Sequence, residues 1–400
     1  MKILAVCDVF GPNCNGTMGA QNNFIASMRK RGHQVKILCA DQSYKGQPDM
    51  YICPNLKLGL LDDYVKKEGV TLGYPKKGII ASSMEGIDVV HIFQPLFLGV
   101  RACKIAYDRG LAITAGFHTQ AENVSVQIKM MNNEFVNSSL YKYFWSSLYR
   151  YCNCIHYPTQ FVRNIFERSM GLKTNGYVIS NGVLPVFKKN MNAIRPKEWE
   201  GKYIIVFTGR LSGEKNQTLL MNAVKLSKHQ DRIQLVLAGD GPLKEKLVAM
   251  GASFINKPYI SFFSRPDLID LLSIADLYVH PALVDLESIS CLEAISCGVL
   301  PLLSNSPKTA VGEYSRDPHC LFQYDSAQNL ADHIDWFIEH PKKSEEIKRL
   351  YANFQDNYDY EKCMDRMEAM LRDAIDMNAR GVKKPVDYSK EELEAIRLKD

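Results

Sequence analysis

The chain reads as an α/β protein of two Rossmann-like, doubly wound parallel-sheet domains facing a central cleft. Three observations predict this. Short apolar runs recur without polar alternation, as in strands covered on both faces (Ile87–Phe93, Tyr203–Phe207, Leu277–His280). Stretches with apolar residues at helical spacing stand between them. The alternation lapses over Gly182–Pro196, an aperiodic candidate linker, and then starts again; 400 residues are also more than one core organises.

Lys2–Val9 is the first strand, and its short apolar run is not a secretory signal. Gly11–Gly19 is a Gly- and Asn-rich loop, Gln21–Arg31 a helix carrying Phe24, Ile25 and Met28, and Gln34–Cys39 the next strand. The glycines do not fit G-x-G-x-x-G, so a dinucleotide site is not indicated. Residues 41–85 are irregular, mixing Lys57, Lys66, Lys67, Lys76 and Lys77 with leucines, a pattern shared by interfacial and ordinary surface helices. Residues 97–109 form a helix, and the strand Ala112–Phe117 delivers His118 at its carboxyl end, where open α/β sheets bind ligands. Residues 124–151 interleave Tyr141, Tyr143, Phe144, Trp145, Tyr149 and Tyr151 with Lys129, Lys142 and Arg150. Strands Asn153–Pro158 and Tyr177–Ser180 end this half.

The second half repeats the logic: strand Tyr203–Phe207 and helix Gln217–Leu226, strand Gln234–Ala238 and a helix, a short strand at Phe254–Ile255, helix Ser264–Ile274, strand Leu277–His280, helix Ser288–Cys297, strand Val299–Leu303. Tyr358–Met377 has amphipathic helical spacing, and a charged tail follows from Gly381. The domains expected are residues 1–182, residues 183–355, a helix over 356–380 packing back on the N-terminal domain, and the tail 381–400.

Composition narrows the function. No stretch of 18 uncharged apolar residues occurs, so no helical membrane span is predicted. The eleven cysteines lack metal-ligand spacing, and those in apolar runs are expected as reduced core residues. The net charge of +5 is uneven, +8 over residues 1–182 and −3 over the remainder, which suggests an anionic partner for the first half. No nucleic-acid module is present, and a membrane surface is the partner expected; the aromatic and basic residues of 124–151 suit lipid headgroups or an acceptor groove, and equally a helix buried against the sheet.

The chemistry gathers in two loops. Arg210 and Lys215, flanked by Gly209 and Gly213, can grip a diphosphate from two sides and stabilise a departing phosphate. Residues 280–301 join a strand, an acidic loop with Asp285, Glu287 and Glu293, and a helix start at Ser288, a place for sugar hydroxyls and for an anion.

GRLSGEKN (209–216), LAGDGP (237–242) and VHPALVDLESISCLEAISCGVLP (279–301) together resemble the donor-binding domain of retaining glycosyltransferases of family 4, which have the GT-B fold. NGTMGAQNNFIASMRKRGHQV (15–35), FHTQAEN (117–123) and VISNGV (178–183) resemble the same family, over roughly residues 1–375. FHTQAEN and ESISCLEAISCG look like the branch of bacterial enzymes that glycosylate membrane lipids.

The resemblance implies that Arg210 and Lys215 bind the diphosphate of a nucleotide sugar, with Gly209 and Gly241 in the loops around it. Glu293 would take the ribose, Ser288 and Ile289 would offer backbone N–H groups to the distal phosphate, Gly16 would lie beside the phosphates, and His118 would touch the transferred sugar. The family's first acidic residue, eight before the second, is Asp285 here; either it or Glu287 would hold the sugar. The implied reaction moves glucose or galactose from a UDP-sugar to diacylglycerol or a ceramide-type lipid with retention, needs no metal or other cofactor, and runs in the cytoplasm at the inner face of the plasma membrane. A polysaccharide acceptor and a sugar-nucleotide epimerase are the rival readings.

Overall fold

The computed structural model describes residues 1–11, 16–57, 59, 72–125, 130–381 and 386–387. These form two compact units. The first is Met1–Asn181 with the segment from Glu361 onward; the second is Gly182–Tyr360.

The first unit holds a seven-stranded, wholly parallel sheet. Its strands are β1 (Lys2–Val6), β2 (Gln34–Cys39), β3 (Met50–Ile52), β4 (Val89–Ile92), β5 (Ala112–Gly116), β6 (Cys154–Tyr157) and, after a two-residue β7 (Leu172–Lys173), β8 (Gly176–Val178), in the order β3-β2-β1-β4-β5-β6-β8. All of β4, β5 and β6 is buried, which is why these strands read as unbroken apolar runs. The 20-residue helix Tyr360–Ala379 belongs to this unit: Arg31 reaches Glu361 and Asp365, and Arg366 donates to the Val178 carbonyl.

The second unit repeats the plan with six parallel strands: β9 (Tyr203–Thr208), β10 (Ile233–Ala238), β11 (Tyr259–Ser261), β12 (Leu277–His280), β13 (Leu300–Ser304) and β14 (Leu321–Phe322), ordered β11-β10-β9-β12-β13-β14. In both units the strand order reverses beside the first strand, and the crevice outside the carboxyl ends there is where doubly wound sheets take ligands.

Two expectations need correction, and two open readings are decided in part. The edge strand is Tyr259–Ser261, not Phe254–Ile255; Ile255 is exposed, Asn256 ties its turn to the Asp231 and Ile233 carbonyls, and pairing starts only past Pro258. The supposed linker is part of the second unit, since Val183 bridges to Asp359, Phe187 is buried in the core and Arg195 pairs with Asp276. The irregular 41–85 region contains β3 and a helix, Lys77–Ser83; its residues 58 and 60–71, including Lys66 and Lys67, lie outside those described. The aromatic stretch divides, with Tyr141, Phe144 and Tyr149 in the core and Tyr143 exposed.

Candidate active site

The second unit's crevice is built by three loops leaving β9, β10 and β12. The loop after β9 is folded onto the loop after β10: Gly209 N–H donates to Ala238 O (3.0 Å), Leu211 N–H to Asp240 O (2.9 Å) and Leu243 N–H to Leu211 O (3.0 Å). The approach requires glycine, because a Cβ on Gly239 would lie 1.9 Å from the Gly209 carbonyl oxygen and one on Gly241 2.5 Å from that of Leu211. A 3₁₀ turn at Gly213–Lys215 then passes through Asn216, in the left-handed region at φ 54°, into the helix Gln217–Leu226. Gln217 donates to the Arg210 carbonyl (2.7 Å), and Leu283 N–H to the Glu214 carbonyl (2.8 Å), so the loops after β9 and β12 are tied together.

Lys215 and Asp285 meet as an ion pair, Nζ to Oδ2 at 2.5 Å. Asp285 is fixed on every side. His280 Nε2 lies 3.0 Å from the same oxygen, Ser288 N–H donates to Oδ1 at 3.2 Å, and its backbone pairs with the 308–310 loop. The Lys215 ammonium beside it, with the His280 hydrogen bond, holds the Asp285 carboxyl well below the usual range despite burial. His280 is fully buried, and burial lowers its pKa, so the ring is neutral. A neutral ring facing a carboxylate carries its proton on Nε2; Nδ1 then accepts from Tyr278 O–H at 3.1 Å.

The helix Ile289–Ser296 opens at Ser288, itself in the left-handed region at φ 58°, and no side chain caps it. Ser288 N–H is already given to Asp285, so of the two N–H donors expected at this helix start, Ile289 is the better placed to meet an anion. One turn on, the Glu293 carboxylate makes no hydrogen bond to another described residue; burial pushes its pKa up to about 8, opposed only by Arg265. Glu287 is buried, and its carbonyl accepts from Tyr314 O–H (2.6 Å).

In the first unit Gly16 opens the helix Gly16–Lys30. His118 sits just past β5, buried, its ring stacked on Phe93 (5.9 Å between centroids) and edge-on to His156 (5.2 Å). Burial lowers its pKa, so it is a neutral hydrogen-bonding group. Among the described residues no cluster of three His, Cys, Asp or Glu side chains could hold a metal ion.

Residues 22–185 match Glycosyltransferase Family 4, and residues 190–352 match Glycosyl transferases group 1. The chain carries the two domains of a group 1/family 4 glycosyltransferase. An α-monoglucosyldiacylglycerol synthase of Streptococcus pneumoniae is 22% identical over 77% of this chain and 72% of its own. A GDP-mannose-dependent α-mannosyltransferase of Mycolicibacterium smegmatis is 22% identical over 75% of this chain and 78% of its own. The crystal structure of Anabaena HepE in complex with UDP superposes with TM-score 0.72 at 15% identity, over 93% of this chain and 100% of that one, so the fold is GT-B.

Within the glycosyltransferase, the second unit brings Gly209, Arg210, Lys215, Gly241, Asp285, Glu287, Ser288, Ile289 and Glu293 onto loops and one helix at a single strand-order reversal. Sequence reasoning missed His280 and Tyr278, which lie inside the apolar run of β12. The available signal was the one that singled out His118, a histidine at the carboxyl end of a buried strand.

Proposed function

We propose that this glycosyltransferase moves a hexose, glucose or galactose, from a UDP-sugar to a hydroxyl of a membrane lipid of the diacylglycerol or ceramide type, with retention and an α-linkage. The observation that carries the reading is the arrangement in the second unit: an ammonium fixed by a carboxylate, an uncapped helix start and a half-buried carboxyl group with no hydrogen bond to another described residue, all at one crevice. A nucleoside diphosphate supplies what each lacks. Its phosphates take Lys215, Arg210 and the Ile289 N–H; its ribose hydroxyls take Glu293. HepE's complex with UDP and the synthase's name support the donor and acceptor classes chosen.

Lys215 Nζ has Asp285 as its hydrogen-bond partner, which leaves two N–H donors for phosphate oxygens. As the bond between the anomeric carbon and the phosphate oxygen breaks, negative charge grows on the diphosphate, and Lys215 and Arg210 stabilise it. The leaving phosphate takes the acceptor's proton, so the incoming oxygen attacks from the face the phosphate vacates and configuration is kept. His118, neutral, is proposed to hydrogen-bond a sugar hydroxyl and Gly16 to meet the phosphates; His118→Ala and Gly16→Val are expected to lower turnover. Nothing in the scheme calls for a metal, and activity is expected to persist in EDTA.

The acceptor's membrane is met by the first unit. Exposed Phe97 and Tyr143, with Arg101 and Lys104, line a recess of about 240 Å³ together with Pro75 and Val100. Aromatic rings among cations suit anionic headgroups, and no helix among the described residues is long and apolar enough to cross a membrane, so peripheral docking at the cytoplasmic face is the proposed location. Sedimentation with anionic vesicles is expected to fall as salt rises, and equal binding to neutral vesicles would count against it.

The deciding experiment is a screen of UDP-glucose, UDP-galactose and GDP-mannose against diacylglycerol, ceramide, sterol and soluble sugar acceptors, read by mass spectrometry. A lipid glycoside with an α-linkage is the expected product. Transfer to soluble sugars alone would overturn the acceptor; interconverted nucleotide sugar without transfer would mark an epimerase.

A further inference from the structure

The polar chain behind Lys215 runs from the site into the core. Lys215 Nζ meets Asp285 Oδ2, His280 Nε2 meets the same oxygen, Tyr278 O–H meets His280 Nδ1, and Thr208 Oγ1 lies 3.4 Å from the tyrosine oxygen. Tyr278 and His280 are fully buried, and the His280 ring stacks on Phe207 and Tyr278. Buried polar groups of this kind are costly unless every partner is met, and here the partners form one directed series.

We propose that His280 and Tyr278 are positioning residues, acting through Asp285, the counter-ion of Lys215, to set the place of the Lys215 ammonium. Asp285 has one oxygen shared by Lys215 and His280 and the other accepting from Ser288 N–H, so its carboxylate is held at both oxygens before a substrate arrives. Asp285 and Tyr278 hold the ring between them: the carboxylate can only accept, so Nε2 carries the proton, and Nδ1 then accepts from the Tyr278 hydroxyl. Without that hydroxyl the ring loses its anchor at Nδ1, and the ammonium its fixed seat.

This rests on the transfer reaction proposed above, and the test separates the two. His280→Leu is expected to lower kcat about 10-fold or more, with KM for the nucleotide sugar and UDP affinity by calorimetry changed less than about threefold. His280→Gln, whose amide N–H can reach the place of Nε2–H, is expected to recover most of that loss. Against Lys215→Met the loss should vanish: the double variant His280→Leu/Lys215→Met should be no slower than Lys215→Met alone. Independent losses that multiply would overturn the proposal, as would a Gln variant no better than Leu when both bind UDP. Long-range ¹H–¹⁵N spectra of the wild type need no turnover: at pH 8 they should show a neutral Nε2–H histidine whose signals are absent in His280→Gln, beside that of His156, whose Nε2 faces the Ile179 carbonyl. An Nδ1–H tautomer would overturn the proposal even in an active enzyme, and a wild type that transfers nothing would remove the reaction while leaving the tautomer result standing.

Discussion

The two units share one strand order and finish it in opposite ways. In each, the reversal falls between the first strand and the fourth, β1 beside β4 and β9 beside β12. Two residues past the first strand stands Asp8 in one unit and Arg210 in the other. Asp8 is buried and accepts the N–H groups of Leu98 (2.7 Å) and Gly99 (2.8 Å), capping the helix Phe97–Asp108 with the protein's own carboxylate. The matching helix of the second unit, Ile289–Ser296, has no side-chain cap, and the position matching Asp8 carries a cation, Arg210, instead. A helix start has a few N–H groups to give. An acid at this position spends them within the protein; a base leaves them for an anion from solution. One architecture thus yields a sealed joint in one unit and a phosphate seat in the other.

The sharpest way to break the comparison is at the phosphate seat. Lys215→Ala is expected to raise the barrier to transfer by about 3 kcal/mol, roughly a hundredfold in turnover. Near-normal turnover, measured with the preferred donor at saturation, would mean the second crevice is not where charge develops. At the sealed joint the effect should fall on stability. Asp8→Ala leaves two buried N–H groups without a partner and is expected to cost about 2 kcal/mol in urea unfolding. Ser288→Ala, at a helix start the protein does not cap, should cost less than about 0.5 kcal/mol. Equal losses would erase the distinction.

Much of this was legible in the chain, for physical reasons. Central strands of a parallel sheet are buried on both faces, so β4, β9 and β12 stand out as apolar runs. Edge elements are half-buried and leave a weaker trace, which is why β3 and the helix Lys77–Ser83 were not foreseen and β11 was misplaced. The candidate site was legible as loops and not as contacts. Arg210, Lys215 and the acidic stretch could be singled out by type, but the pairing of Lys215 with Asp285 spans 70 residues of chain and has no local signal. Asp8 and His280 were hidden for a common reason: each sits at the end of a strand so apolar that the polar residue reads as part of the run.

Glu293 offers the finest test of whether the second crevice is kept open for a ligand. Burial pushes its carboxyl up to about 8, from an ordinary value near 4.5. Between those values the folded protein keeps the proton and the unfolded chain gives it up, so raising the pH favours unfolding, by at most about 1.4 kcal/mol per pH unit from this group. Asp8, pushed up to about 7 by burial, adds a slope of the same sign at lower pH. Glu293→Gln removes the first contribution and leaves the second. It should therefore gain stability relative to the wild type between pH 5 and pH 8, by up to about 3 kcal/mol, and be roughly tenfold weaker in binding UDP, because an amide offers the ribose hydroxyls one acceptor oxygen where a ribose-bound carboxylate offers two. Chemical unfolding at the two pH values, with calorimetric UDP titration, reads both. Were the variant less stable at pH 8 and unchanged toward UDP, Glu293 would be serving the fold, and the second unit would be as sealed as the first.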